Sequence, residues 1–69
     1  MTPAIERRTR DISAVLHGRA RTSNHDDQTD AVTDILADIR HWCDAYAVDF
    51  DNCNRIAADH HQAEVADTP

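Results

Sequence analysis

The chain has 69 residues, which is enough for one small domain. Thirteen acidic residues oppose seven basic ones, all of them arginine, and the formal net charge is −6 with histidine neutral. No apolar run approaches the roughly 20 residues that cross a bilayer, and Arg7, Arg8 and Arg10 interrupt the N-terminus before any signal-peptide apolar region. Two cysteines are too few for a disulfide scaffold, and one glycine with two prolines leaves little turn chemistry for a β-rich fold.

The first predicted element is a basic N-terminal helix in residues 1–18. Thr2 is suited to cap it, Pro3 suits the first helical position, and Gly18 is a natural stop. The helix carries a thin apolar stripe made of Ile5, Ile12, Val15 and Leu16. The following residues 19–26 show no apolar periodicity, which predicts a mobile linker.

Charge is divided unevenly along the chain. Residues 1–21 carry five arginines and two acids, whereas residues 22–69 carry eleven acids and two arginines. Because no aromatic platform accompanies the basic arm, direct nucleic-acid binding is not favoured. We expect these arginines to lie on the solvent side of the helix and to pair with acids of this chain or a neighbour.

The second predicted helix covers residues 27–47 and has the strongest pattern. Asp26 or Asp27 is suited to cap it. At about 100° per residue, its apolar residues fall on a face roughly 120° wide, namely Val32, Ile35, Leu36, Ile39, Trp42, Cys43 and Tyr46. Trp42 and Tyr46 are interpreted first as core, with anchoring of a partner protein as the alternative.

The opposite side of this helix carries an acidic stripe, formed by Asp27, Asp30, Asp34 and Asp38. Like charges four residues apart cost a few tenths of a kcal/mol per pair, so the stripe does not contribute to folding. It is either a solubilising surface or a row of carboxylates that imitates nucleic-acid phosphates. Acids continue beyond it at Asp44, Asp49 and Asp51.

The third predicted helix covers residues 49–66, with Asp49 as its cap and a Val48–Cys53 hydrophobic staple. The connection to the second helix is short, which favours an antiparallel hairpin with Cys43 and Cys53 facing each other inside it. We expect free thiols there, a disulfide being the alternative, and we expect His60 to be partly buried.

Metal binding and catalysis are not expected. His41 and Cys43 point to different sides of one helix, and Cys53 and His60 lie about 10 Å apart along another. Histidine–aspartate neighbours such as His41 and Asp44 occur on many solvated helices, and no phosphate-binding glycine run accompanies them. The sequence therefore predicts no enzyme, no metal and no cofactor.

The predicted fold is all-α: a helical hairpin in residues 27–67 with an additional N-terminal helix, forming one small domain. A core of this size rarely supplies more than about 3–5 kcal/mol without a partner. We therefore expect self-association, with a helical dimer as the simplest closed form.

Residues 33–64 resemble small helical proteins encoded by bacteriophages and mobile elements. The resemblance rests on I-R-H-W-C-D near the end of the second helix, V-D-F-D at the turn and A-x-x-H in the third helix. Together with the acidity and small size, it is similar in type to anti-CRISPR proteins, many of which block the nucleic-acid surface of a host effector complex. It implies a cytoplasmic location in a bacterial host.

These features predict a non-enzymatic inhibitor that binds the basic surface of a nucleic-acid-binding protein complex. The predicted contact residues are Asp30, Asp34, Asp38, Asp44, Trp42 and Tyr46. The alternative is a self-associating accessory or structural phage protein without nucleic-acid mimicry.

Overall fold

The computed structural model describes residues 2–67, and within that range the chain forms three helices and no strand. They are α1 (Pro3–Arg19), α2 (His25–Tyr46) and α3 (Phe50–Ala66). The predicted all-α fold, a helical hairpin with an added N-terminal helix, is confirmed. None of these helices is long and apolar enough to span a membrane.

Helix α1 begins as predicted and ends later than predicted. The Thr2 hydroxyl accepts a hydrogen bond from the Ile5 N–H at 3.2 Å, and Pro3 occupies the first turn. The expected stop at Gly18 is wrong, since the helix continues to Arg19 and is followed by Ala20 in an extended conformation. Gly18 has no positive φ, so it does not form the left-handed cap at which helices often end.

The predicted linker at 19–26 is also too long. Only residues 20–24 separate the two helices, and Asn24 is the actual cap of α2, its side-chain oxygen accepting from the Asp27 N–H at 2.9 Å. The Ser23 hydroxyl donates to the Asp27 carboxylate at 2.8 Å, and the Gln28 amide donates to the Thr22 carbonyl at 3.4 Å. The connection is therefore a hydrogen-bonded turn, and neither predicted aspartate caps the helix.

The turn between α2 and α3 is closed by backbone hydrogen bonds. Ala47 adopts the left-handed conformation, with φ 55° and ψ 37°, and the Val48 N–H donates to the Cys43 carbonyl at 2.9 Å. Asp49 then caps α3 as predicted, its carboxylate accepting from the Asn52 N–H at 3.0 Å. The left-handed residue is what reverses the chain direction at this point.

The two cysteines do not face each other inside the hairpin. Cys43 is buried, whereas Cys53 is exposed, and both thiols are free. The side chains that do meet at the turn are Arg40 and Phe50, with the guanidinium carbon 4.2 Å from the ring centroid. The predicted facing pair is wrong because Cys53 lies on the outer side of α3.

Ion pairs join α1 to the other two helices. Arg8 pairs with Glu64 of α3, and the Arg19 Nε donates to the Asp38 carboxylate of α2 at 2.6 Å. The expectation that the basic arm pairs with acids of this chain is confirmed for these two arginines. Both pairs are exposed, so they orient the helices more than they stabilise them.

Packing between the helices is sparse. Among the described residues, only Ala31 and Cys43 are buried, and no large side chain is fully buried. His60, expected to be partly buried, is exposed. The radius of gyration is 13.7 Å, compared with about 11 Å for a compact chain of this length. The helices lie against one another with their apolar stripes largely uncovered.

Candidate protein-binding site

Helix α2 exposes two different surfaces on opposite sides. We define the open acidic face as Asp30, Asp34 and Asp44, and the apolar face as Val32, Leu36, Ile39, Trp42 and Tyr46. With 3.6 residues per turn, Asp30 and Tyr46 are separated by about 160° around the helix axis. A single partner surface cannot cover both faces without wrapping around α2.

The open acidic face has no counter-charge in direct contact. Asp30 and Asp34 are exposed and lie about 6 Å apart along the axis, with Asp44 roughly 15 Å further on. Within residues 2–67, Asp30 and Asp44 have neither an ion-pair nor a hydrogen-bond partner. Asp34 lies near Arg19 but forms no hydrogen bond with it; the raised pKa of Arg19 is due first to its hydrogen bond with Asp38, and the charge of Asp34 contributes last. The carboxylates remain available to a partner.

Asp38 differs from the other members of the predicted stripe. The hydrogen bond from Arg19 holds the pKa of its carboxyl below the ordinary value, and the same contact raises the pKa of Arg19. A carboxylate held in this way positions α1 against α2. Asp27 is likewise occupied, since it accepts from Ser23. Two of the four predicted stripe residues therefore have partners within the chain.

The apolar face ends in an aromatic pair. The ring centroids of Trp42 and Tyr46 are 4.8 Å apart with planes inclined by 32°. The two side chains are 57% and 67% exposed, so their interpretation as core of this chain is wrong. Within α2 the buried positions are Ala31 and Cys43, and neither α1 nor α3 covers the aromatic pair.

The structure therefore does not bring the six predicted contact residues together. Asp30, Asp34 and Asp44 share the open acidic face, and Asp38 is bound to α1. Trp42 and Tyr46 belong to the apolar face. Their role in binding a partner stays a prediction, but the acidic and aromatic residues form two separate surfaces.

A groove at the beginning of α2 was not predicted from the sequence. It consists of two open cavities of about 280 and 310 Å³, on either side of Gln28 and Val32. The first also borders α1 through Leu16 and His17, and the second extends to His25. The only sequence signal for it was the capping residue Asn24, which sets where α2 begins and was overlooked.

No group of three or more histidine, cysteine or acidic side chains in residues 2–67 is arranged to hold a metal ion. The side chains that form the open acidic face and the apolar face of α2 are carboxylates, two aromatic rings and branched aliphatic groups.

No protein-family model, curated protein or solved structure matches the chain. Its function is therefore inferred from its own surfaces.

Proposed function

We propose that this chain is a non-enzymatic inhibitor, encoded by a phage or mobile element, that blocks a nucleic-acid-binding protein complex. The open acidic face of α2 binds the arginine- and lysine-rich surface on which that complex holds nucleic acid. The mode of action is that of an anti-CRISPR protein acting by occupation of the site.

The observation that carries this proposal is the exposed row of carboxylates with no direct counter-charge. Asp30 and Asp34 repel each other at helical spacing, and neither forms an ion pair or hydrogen bond with a basic side chain of the described residues. A basic partner surface removes this repulsion and gains charge-assisted hydrogen bonds. Carboxylates spaced along a helix also attract such a surface from a distance, which speeds association.

The ion pair at the end of α1 supports the same interpretation. Arg19 is held against Asp38 at 46% exposure of each side chain, so the basic arm neutralises one edge of α2 and leaves the other edge negative. Direct binding of nucleic acid by α1 is not proposed, because its arginines carry no aromatic platform for bases.

The test uses a purified CRISPR effector complex with a fluorescent nucleic-acid target. The protein is titrated against the complex while target binding is followed by anisotropy, at low and at physiological salt. The test variant is D30N/D34N/D44N. The matched control is D11N/D51N/D67N, which changes three exposed acids on α1 and α3 and shifts the net charge equally.

We expect the wild type to displace the target, less effectively as salt rises. Loss of three exposed charge contacts, at about 0.2–1 kcal/mol each, weakens inhibition by roughly 3- to 150-fold. The control variant stays within about twofold of wild type. Equal inhibition by both variants, or none by the wild type against any basic effector complex tried, contradicts the proposal. In the latter case the accessory-protein alternative is favoured.

A further inference from the structure

We infer that the apolar face of α2 is covered by a second copy of this chain, with the two α2 helices antiparallel and the two-fold axis between Ile35 and Leu36. This goes beyond the proposed function and does not depend on it, because the apolar face and the open acidic face lie on different sides of α2.

The first argument is the amount of exposed surface. The chain exposes 5656 Å², whereas a folded monomer of 7.8 kDa is expected to expose about 4,400 Å². The excess is roughly 1,300 Å². A standard stable interface buries about 800 Å² on each partner. A second copy bound through a standard interface therefore removes more than half of the excess, and the exposed area available exceeds what a stable dimer needs.

The second argument is what this surface consists of. Nine large apolar side chains are at least 39% exposed, and five of them form the apolar face of α2. Ile12 and Val15 of α1 and Ile56 of α3 are exposed as well. Apolar surface distributed over all three helices, with no large residue fully buried, is typical of a chain whose core is completed by association.

The third argument is that α2 is complementary to itself. Helix α2 spans His25–Tyr46, so its midpoint lies between Ile35 and Leu36. A two-fold axis there places Val32 opposite Ile39 of the second copy, since a two-fold interface pairs residue i with j and j with i. The aliphatic centre of the face thus packs against itself.

The same axis places the aromatic pair at the level of the groove along the helix axis. Trp42 and Thr29 both lie about 10 Å from the midpoint, on opposite sides of it, so Trp42 of one copy lies opposite Thr29 of the other. Thr29, Val32 and His25 line the groove at the start of α2, and His25 falls opposite Tyr46.

Charge favours pairing through the apolar faces over pairing through the open acidic faces. Asp34 and Leu36 are about 160° apart around the helix, so the open acidic faces of the two copies point away from each other. The interface itself contains aliphatic, aromatic, threonine, glutamine and histidine side chains. The dimer therefore buries apolar area without bringing the two negative rows together.

The experiment measures the oligomeric state of the full chain and then its geometry. Sedimentation equilibrium at 5–200 µM is expected to give twice the 7.8 kDa chain mass, and circular dichroism is recorded on the same samples. In a C43A/C53A background, single cysteines are then introduced by L36C, V32C and D34C and oxidised.

Antiparallel pairing places position 36 of the two copies about 1.5 Å apart along the axis, and position 32 about 10 Å apart. A disulfide needs Cα atoms within about 7 Å, so L36C is expected to cross-link and V32C is not. D34C is the matched control, because it lies at the same level as Leu36 but on the opposite side.

Each outcome decides the inference. Dimeric mass with cross-linking of L36C alone supports it. Monomeric wild type across the concentration range overturns it, and the apolar face then belongs to a different partner protein. Cross-linking of V32C shows a parallel pair or an antiparallel pair in a different register, and cross-linking of D34C shows pairing through the acidic side, each of which overturns the proposed interface. Where a variant loses helicity, the wild-type mass still decides whether a second copy binds.

Discussion

Replacing Ala47 with glycine should stabilise the protein, although it removes a methyl group. Ala47 has φ 55°, a conformation that costs an L-residue about 1–2 kcal/mol because Cβ approaches the carbonyl oxygen. Glycine does not incur this cost, but it loses about 0.4–1 kcal/mol through the greater freedom of the unfolded chain. The net expectation for A47G is a gain of about 0.5–1 kcal/mol.

The gain is measured as the thermal midpoint by circular dichroism, at one protein concentration because association shifts the midpoint. For a chain of this length, 0.5–1 kcal/mol corresponds to about 2–8 °C. A45G is the matched control. Ala45 is exposed in the last turn of α2 and does not have a positive φ, so glycine there is expected to destabilise by up to about 0.5–1 kcal/mol.

The reasoning is refuted if A47G leaves the midpoint unchanged or lowers it while A45G behaves as expected. That result would mean that the turn is not in the left-handed conformation in solution. The bonds that depend on it, from the Ala47 and Val48 N–H groups to the Cys43 carbonyl, would then be absent as well.

Three further predictions concern individual contacts. N24A removes the cap of α2 and should cost about 1 kcal/mol in urea unfolding. The pKa of Asp38 lies below its ordinary value because of Arg19, so its stabilising effect is complete above that ordinary value and is lost as pH falls through the lower, folded value. Unfolding midpoints measured between pH 6 and 2 should therefore fall more steeply for wild type than for D38N. Cys53, being exposed, should react with a thiol reagent at least tenfold faster than Cys43, which is 5% exposed.

Clear outcomes would contradict each of these. Unchanged stability of N24A would mean that Asn24 does not cap α2 in solution and that Asp26 or Asp27 does. Parallel pH curves for wild type and D38N would show that the Arg19 contact does not persist in solution. Equal reaction rates for the two thiols would mean that the turn opens on the timescale of labelling.

The helices and most of their caps could be predicted because those signals are local. Thr2–Pro3 and Asp49 each carry a short-range capping pattern, and both were located correctly. Asn24 was missed because Asp26 and Asp27 compete with it in the same stretch of sequence. Only the chain geometry shows that the Asp27 N–H, three residues on, is the donor.

Burial could not be predicted because it depends on where the helices meet. The apolar face of α2 was recognised by its spacing, but spacing does not reveal whether a neighbour within the chain covers it. Here Ala31 is buried, whereas Trp42 and Tyr46 are exposed. Likewise, the spacing of the acidic stripe does not distinguish its members, whereas in the structure Arg19 donates a hydrogen bond to Asp38 and not to Asp30.

Helix α2 combines a row of aspartates on one side with an apolar face on the other, and the two sides have different effects on its stability. A helix with aspartate at every fourth position gains little from intrinsic propensity, so it needs its apolar side covered in order to persist. Pairing through the apolar face supplies that cover and at the same time fixes two acidic faces outward. A dimer then offers two sites for a basic surface, and a complex with two such surfaces in reach would be held more tightly than by either face alone. Variants that cannot dimerise should therefore inhibit more weakly than wild type, even when all their aspartates are intact.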